Sequence, residues 1–180
     1  MNIALDIGHS KGTGARGNGL EEHDVACVIA RHLFAQLKDM GHTVHVLDFP
    51  DKGNTEDLNA TIKVANADGY DFGISLHCDC AHDRQNACGA HVCFYPGSVQ
   101  GSRLAACIAE PLADLLPGRA NTIQARPGLA ILKQTRMPWV LCECGFISNT
   151  GDADIMKHHP ESIANAIAEG VRDFTAQELV

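Results

Sequence analysis

The chain has 180 residues, of which 45% are hydrophobic and 20% charged, and its net charge is −8. One domain is expected at this length, and size scaling allows roughly 70% of the unfolded surface to be buried without disulfides. The apolar fraction is too high for intrinsic disorder, and 22 acidic against 14 basic residues argue against a nucleic-acid-binding protein. No apolar run approaches the ~18 residues needed to span a membrane.

The first half of the chain alternates predicted strands with predicted helices. Short apolar runs indicate buried strands, and a 3.6-residue period indicates amphipathic helices. These patterns predict strands over 3–7, 43–47 and 72–76 and helices over 21–40 and 58–67. A glycine-rich loop over 8–19 follows the first strand, Gly41 is placed to close the first helix, and His77 ends the third strand.

The second half continues this alternation. The patterns predict strands over 89–95, 129–132 and 139–143, and helices over 103–116 and from Pro160 onwards. Strands that alternate with amphipathic helices indicate βαβ units. We therefore predict an α/β fold with one domain over 1–180, in which a mainly parallel, twisted sheet of about six strands has helices on both faces.

Polar side chains converge on one rim of this predicted sheet. His9 follows the first strand, His77 ends the third and Glu143 ends the last, while Glu21 and Glu22 begin the first helix. Ligands of open α/β sheets bind outside the carboxyl ends of the strands. Two imidazoles, a carboxylate ligand and a spare carboxylate are the residues of a catalytic zinc site that keeps one position open for water.

Each of these residues also has a simpler interpretation. A histidine at a strand end is more often a hydrogen-bonding residue than a metal ligand. Glu21 and Glu22 could only stabilise the positive end of the helix. Glu143 is harder to explain without a function, because a buried acid at the end of an apolar strand needs a partner.

The glycine-rich loop contains a possible nucleotide-binding motif. Residues 12–17 fit G-x-G-x-x-G, but the first strand ends several residues too early for a tight turn. The acid that ends the second strand, Asp48, also lies too far along the chain. A nucleotide cofactor is therefore disfavoured.

Eight cysteines allow a thiol-based alternative, a redox or metal-storage protein. Cys78-Asp79-Cys80 and Cys142-Glu143-Cys144 have C-x-C spacing, whereas structural zinc sites use C-x₂₋₄-C. Strand alternation also turns the cysteines away from His77 and Glu143. We expect reduced cysteines that pack in the core.

Four motifs resemble those of the zinc-dependent N-acetylmuramoyl-L-alanine amidases, which are cell-wall hydrolases. That family carries D-P-G-H, G-x-x-E, S-I-H-x-N-A and V-E-x-G-F-x-S-N. The corresponding segments here are Asp6-Ile7-Gly8-His9, Gly17-Asn18-Gly19-Leu20-Glu21-Glu22, Ser75-Leu76-His77 and Val140-Leu141-Cys142-Glu143-Cys144-Gly145-Phe146-Ile147-Ser148-Asn149. The resemblance covers nearly the whole chain in order.

The resemblance implies one zinc ion per chain, bound by His9, Glu22 and His77, with Glu143 as catalytic acid and base. Glu22 is matched because the family reads N-G-L-x-E at this place. The implied reaction is hydrolysis of the amide between the lactyl group of N-acetylmuramic acid and L-alanine of the peptidoglycan stem peptide. The chain departs from the family where Asp79 and Cys80 replace N-A, and His91 is unusual in the strand after the site loop.

The resemblance also implies where the protein acts and on what. The partner would be peptidoglycan (a muropeptide), with no nucleic acid and no membrane insertion. The N-terminus lacks the pattern of a signal peptide, so we expect synthesis in the cytoplasm and action at the bacterial cell wall. Either a phage-type endolysin released by a holin or the catalytic part of a secreted amidase would fit, with a separate wall-targeting module or partner. A non-catalytic module that binds peptidoglycan peptides on the same fold is the alternative.

Overall fold

The secondary-structure elements alternate along the chain, as the sequence patterns predict. The computed structural model describes residues 1–81 and 86–177. The elements are β1 (Asn2–Ile7), β2 (Arg16–Gly17), β3 (Leu20–Glu21), α1 (Glu22–Asp39), β4 (Thr43–Leu47), α2 (Asn54–Ala67), β5 (Phe72–Asp79), β6 (His91–Phe94), α3 (Val99–Leu115), β7 (Ile123–Ala125), α4 (Ala130–Gln134), β8 (Trp139–Phe146), α5 (Thr150–His158) and α6 (Pro160–Gln177).

Six strands form one sheet in the order β4-β1-β5-β8-β6-β7. The pairs β1–β4, β1–β5 and β5–β8 are parallel, and β6 and β7 are parallel to each other. The parallel group β4-β1-β5-β8 joins the parallel pair β6-β7 through an antiparallel pairing of β8 with β6. The predicted α/β fold with a mainly parallel sheet of six strands is confirmed.

Helices cover both faces of the sheet because its central strands are apolar on both sides. The larger core cluster packs α1, α3 and α6 against one face, where Leu5, Ile74 and Val140 are fully buried. A smaller cluster packs α2 and α4 against the other face, around Trp139 and Leu141. Within the two described segments, no helix combines the length and apolarity that crossing a bilayer requires.

The predicted strand over 129–132 is wrong, because this segment leads into the short helix α4. A four-residue apolar run does not distinguish a strand from a buried helical turn. Adjacent residues Ile131 and Leu132 are both buried in the smaller cluster, as one turn of helix allows. Four elements escaped prediction: the two-residue strands β2 and β3, the three-residue edge strand β7, and α5, which Asn149 caps by accepting bonds from two backbone N–H groups.

Several boundaries also differ from the predicted ones. Strand β5 continues past His77, and β8 continues past Glu143, so both residues lie within strands. Helices α2 and α3 begin four residues earlier than predicted because their first turns are polar or small, a composition that hides the apolar period. Gly41 closes α1 with φ of 86°, as predicted.

The carboxylate of Asp152 in α5 connects two strands at the rim. It accepts hydrogen bonds from the backbone N–H of Phe146 at the end of β8 (2.7 Å) and of Gly89 just before β6 (2.8 Å). Gly89 has φ of 88°, and an added Cβ there would overlap the backbone around Pro117. The start of β6 is therefore fixed relative to the end of β8.

A buried polar chain links the central strands on the α2 side of the sheet. The indole N–H of Trp139 donates to Ser75 Oγ (2.8 Å), which donates to Asp6 Oδ2 (2.6 Å), and Thr61 donates to Asp6 Oδ1 (3.1 Å). Burial raises the pKa of Asp6, and the hydrogen bonds from Ser75 and Thr61 oppose this shift. Gly73 leaves the space that the Trp139 ring fills.

Gly73→Ala should lower the free energy of unfolding by about 1–3 kcal/mol, because the added methyl group would overlap the Trp139 ring. Urea unfolding monitored by the fluorescence of this single tryptophan measures the effect. Gly69→Ala is the matched control, since no heavy atom lies within 4 Å of its added carbon. Equal losses in the two variants would contradict the packing argument.

Candidate active site

Three side chains from separate elements meet at the carboxyl rim of the sheet. His9 directly follows β1, Glu22 begins α1, and His77 lies in β5. Glu22 Oε2 is 3.4 Å from His9 Nε2, and Glu22 Oε1 is 3.1 Å from His77 Nδ1. Their ligand atoms all lie within 4.8 Å of one another. The structure thus brings together the three residues predicted as metal ligands, and their role as ligands stays a prediction.

Glycines allow the backbone to approach this group closely. An added Cβ at Gly8 would overlap the His77 imidazole, and one at Gly14 would overlap Glu22 and the His9 ring. His9 itself has φ of 63°, in the left-handed region that few non-glycine residues adopt. Gly8 and Gly14 therefore allow close packing around the two histidines and Glu22.

Glu22 is 3% exposed and fully hydrogen-bonded. Besides the two histidines, it accepts bonds from the backbone N–H of Ala15 (2.6 Å) and Cys78 (3.0 Å). Burial raises the pKa of Glu22, but the hydrogen bond from His77 and the charges of both histidines outweigh burial and lower it overall. The carboxylate is therefore held in its ionised form, which is the form that binds a cation.

The environment of His77 is strongly negative. Burial lowers the pKa of His77, but Glu22, Glu143 and Asp6 raise it to about 9. A proton on His77 offsets part of this negative charge, and a divalent cation would offset more of it. Two imidazoles and one carboxylate are a donor set that catalytic zinc sites use, so the residues present fit a zinc ion.

Asn54, the first residue of α2, orients His9. The Asn54 side-chain carbonyl accepts a hydrogen bond from His9 Nδ1 (2.8 Å), which leaves Nε2 as the nitrogen that faces Glu22. Such a bond to the second ring nitrogen fixes the tautomer and the ring orientation of a metal-binding histidine. Sequence analysis missed Asn54 because its distance from His9 depends on where α2 begins.

Glu143 lies beside this group on the next strand. It pairs in register with His77 across β5 and β8, so the two side chains leave the same face of the sheet. Its Oε2 atom is buried and has no hydrogen-bond partner among the described residues. Burial raises the pKa of Glu143 to about 7, the charges of Asp79 and Glu22 act in the same direction, and that of His77 opposes them. Such a group can both take up and release a proton near neutral pH.

Three cysteines of the central strands lie on the opposite face from Glu143, as predicted. Cys78, Cys142 and Cys144 belong to the core cluster under α1 and α6. All eight cysteines are free, and burial raises the pKa of Cys78 and Cys142 far above the usual value. The protonated, enclosed thiols of Cys78 and Cys142 are unsuited to redox or metal-storage chemistry.

A cavity of about 140 Å³ opens next to His9 and His77. Its apolar walls come from α2 and α4, through Leu58 and Ile131, and from Leu141 of β8. The site therefore joins a charged group that can hold a cation to a small apolar space. The segment that was wrongly predicted as a strand provides one wall of this space.

A family model described as N-acetylmuramoyl-L-alanine amidase matches residues 3–173. The chain belongs to this amidase family. As a member, it is a hydrolase, which confirms the predicted family and enzyme class.

Individual relatives resemble this amidase over almost its whole length. The uncharacterized protein YqiI of Bacillus subtilis is 29% identical over 97% of this chain and 85% of its own length. The N-acetylmuramoyl-L-alanine amidase CwlM of Bacillus licheniformis is 28% identical over 95% of this chain and 67% of its own. Among solved structures, the catalytic domain of the CD27L endolysin that targets Clostridia difficile superposes with a TM-score of 0.85, at 29% identity over 96% and 97% of the two chains.

Asn54→Ala should weaken the affinity for Zn²⁺ by about 10–100-fold, because His9 loses the hydrogen bond that orients it. Competition with a chromophoric chelator measures this affinity. Asn59→Ala is the matched control, since Asn59 is exposed on the same helix. If both variants bind Zn²⁺ as the wild type does, Asn54 has no part in the ion site.

Proposed function

We propose that the protein is a zinc-dependent N-acetylmuramoyl-L-alanine amidase. The bond cleaved would be the amide between the lactyl group of N-acetylmuramic acid and L-alanine of the stem peptide. One observation carries the proposal: in a chain of the amidase family, His9, Glu22 and His77 converge beside Glu143, whose Oε2 has no partner among the described residues. A binding module would have no use for a buried acid whose pKa lies near 7.

One zinc ion per chain would be held by His9 Nε2, a nitrogen of His77 and the Glu22 carboxylate. When bound, zinc polarises a carbonyl and lowers the pKa of its water ligand. The protein contributes the orientation of the ligands, through Asn54 on His9 and the backbone N–H groups of Ala15 and Cys78 on Glu22. The loop after β1, α1, α2 and β5 would thus hold the proposed ligands in position before an ion binds.

Glu143 would move the proton that hydrolysis requires. Its Oε2 accepts a proton from the attacking water and returns it to the nitrogen of the departing L-alanine, so the amine leaves as a neutral group. Both transfers need a carboxyl whose pKa lies near the working pH, which burial beside Asp79 and Glu22 supplies. Its pairing with His77 in the register of β5 and β8 supports this role.

The substrate would be peptidoglycan, and the site of action the bacterial cell wall. Release through a holin or delivery by a separate wall-targeting module both fit a net charge of −8, since an acidic surface does not by itself attract anionic wall polymers. The apolar cavity near His9 suits a small aliphatic part of the substrate.

Glu143→Gln should lower the rate of peptide release by about 10²–10⁴-fold while the zinc content stays at one ion per chain, because the amide cannot take up the proton. Mass spectrometry of soluble products from purified sacculi detects stem peptides that begin at L-alanine, with intact glycan strands. Loss of zinc from this variant would make Glu143 a ligand. Cleavage of the glycan or of the peptide cross-links by the wild type would refute the proposed bond.

Glu22→Gln should abolish stoichiometric zinc binding, whereas Glu21→Gln should retain it. Glu22 is the buried carboxylate between the histidines, and Glu21 is a half-buried neighbour that pairs with Arg16 (3.1 Å). Elemental analysis of the purified variants measures zinc per chain. The reverse result would transfer the ligand role to Glu21.

A further inference from the structure

Three neighbouring strands place His77, Glu143 and His91 side by side. His77 pairs with Glu143 across β5 and β8, and Glu143 pairs with His91 across β8 and β6. Directly opposed residues leave the same face of a sheet, with Cβ atoms about 4.5–5.5 Å apart. His91 therefore lies next to Glu143, on the side away from the proposed zinc ligands.

Two polar atoms on this row are unsatisfied. His91 is 3% exposed, and its Nδ1 is buried without a hydrogen-bond partner in the described part of the chain. Glu143 Oε2 is also buried without a hydrogen-bond partner among the described residues. Buried polar groups without partners are rare in proteins, and one explanation for them is a ligand that completes their hydrogen bonds. Two such atoms on opposed residues indicate one ligand that extends from Glu143 to His91.

Two arginines bring positive charge within electrostatic reach of His91. Arg119 lies over the Phe146 ring, with 5.1 Å from its guanidinium carbon to the ring centroid. Arg126 follows β7, and its backbone N–H donates to the carbonyl of Phe94 in β6 (2.9 Å). Of the carboxylates in residues 1–81 and 86–177, none forms an ion pair with either guanidinium. The Arg126 guanidinium donates to the neutral Gln124 Oε1 (3.3 Å), so neither positive charge is compensated by a described carboxylate, although the net charge of the chain is −8.

These charges also exclude a further metal ligand at this place. Burial lowers the pKa of His91, and Arg119 and Arg126 lower it further, to about 4. The imidazole is therefore neutral near pH 7, but the cations that keep it neutral would repel a metal ion. A neutral imidazole beside two guanidiniums fits an anion, since it offers one N–H and adds no competing negative charge.

We propose that His91, Arg119 and Arg126 form a subsite for a carboxylate on the peptide part of the substrate. This inference rests on the proposed amidase function. The scissile amide would lie between the zinc ligands and Glu143, with the peptide running over β6 towards Arg126 and the muramoyl part towards the cavity under α2 and α4. The guanidiniums bind the carboxylate by charge-assisted hydrogen bonds, and His91 orients it.

The test measures binding without turnover. The zinc-loaded Glu143→Gln protein is titrated calorimetrically with N-acetylmuramoyl-L-alanyl-D-glutamate and with the same compound whose two glutamate carboxylates are converted to amides. We expect the carboxylate form to bind at least about tenfold more tightly, by an amount that shrinks as salt is added. In the same background, the double variant with Arg119→Gln and Arg126→Gln should bind the two compounds with equal affinity.

Arg136→Gln is the matched control for charge, because Arg136 is exposed before the amino end of β8, at the opposite rim. It should leave the preference for the carboxylate unchanged. His91→Leu should reduce that preference, and His91→Gln, which again offers an N–H donor, should restore part of it. A purely structural role of His91 would instead lower both affinities in proportion. If His91→Leu does not fold, the double arginine variant still tests whether the subsite binds a carboxylate.

The carboxylate subsite and the proposed amidase function can each be refuted without the other. Equal binding of the two compounds by the Glu143→Gln protein, together with release of stem peptides by the wild type, overturns the subsite and leaves the amidase function standing. Binding of neither compound, together with no cleavage of sacculi by the wild type, overturns both. A preference for the carboxylate that persists in the double arginine variant also overturns the subsite.

Discussion

The carboxylate of Glu22 is the contact on which the whole site depends. It is enclosed at the start of α1 and satisfied by two imidazoles and two backbone N–H groups, from Ala15 and Cys78. A buried charge is tolerated only with this number of partners. Because the partners come from the loop after β1 and from β5, their contact with one carboxylate fixes the first helix, the loop and the central strand relative to one another.

The sheet provides the second constraint, which is register. Parallel pairing of β5 and β8 sets Glu143 beside His77, and antiparallel pairing of β8 and β6 sets His91 beside Glu143. Beneath them, the buried polar chain from Trp139 to Asp6 joins the same central strands. The row of side chains is thus supported from below by hydrogen bonds that do not involve the reacting groups. A shift of one strand would therefore break both the backbone hydrogen bonds between strands and the side-chain hydrogen bonds of this buried chain.

The position of the site was predictable from the sequence because it depends on strand ends. His9, His77 and Glu143 each follow or end an apolar run, and the carboxyl ends of parallel strands share one rim whatever the strand order. Spacing alone left Glu21 and Glu22 equivalent, and the family motif favoured Glu22. In the structure Glu22 is enclosed and Glu21 is only half-buried, because successive residues at the start of a helix point in different directions.

Other features could not be predicted, because they depend on long-range contacts. The segment over 129–132 has an apolar pattern compatible with strand or helix, and only the packing of both Ile131 and Leu132 against the sheet decides for a helix. The hydrogen bond from His9 to Asn54 needs the start of α2, which has no apolar signal. The place of His91 next to Glu143 requires an antiparallel pairing of β6 with β8, whereas the sequence patterns predict a mainly parallel sheet.

The hydrogen bonds that Asp152 accepts from Phe146 and Gly89 bear on how such an enzyme could change its substrate preference. The chain that leaves β5 is held by bonds from Ile147 to Asp79 and from Ala81 to Ser148, and the chain that enters β6 is held at Gly89 by Asp152. Both ends of the connection are thus anchored to the segment after β8. The sequence between these two anchors can therefore change while the distances between the hydrolytic residues stay the same. Substitutions in this connection could alter substrate preference without disturbing the catalytic site.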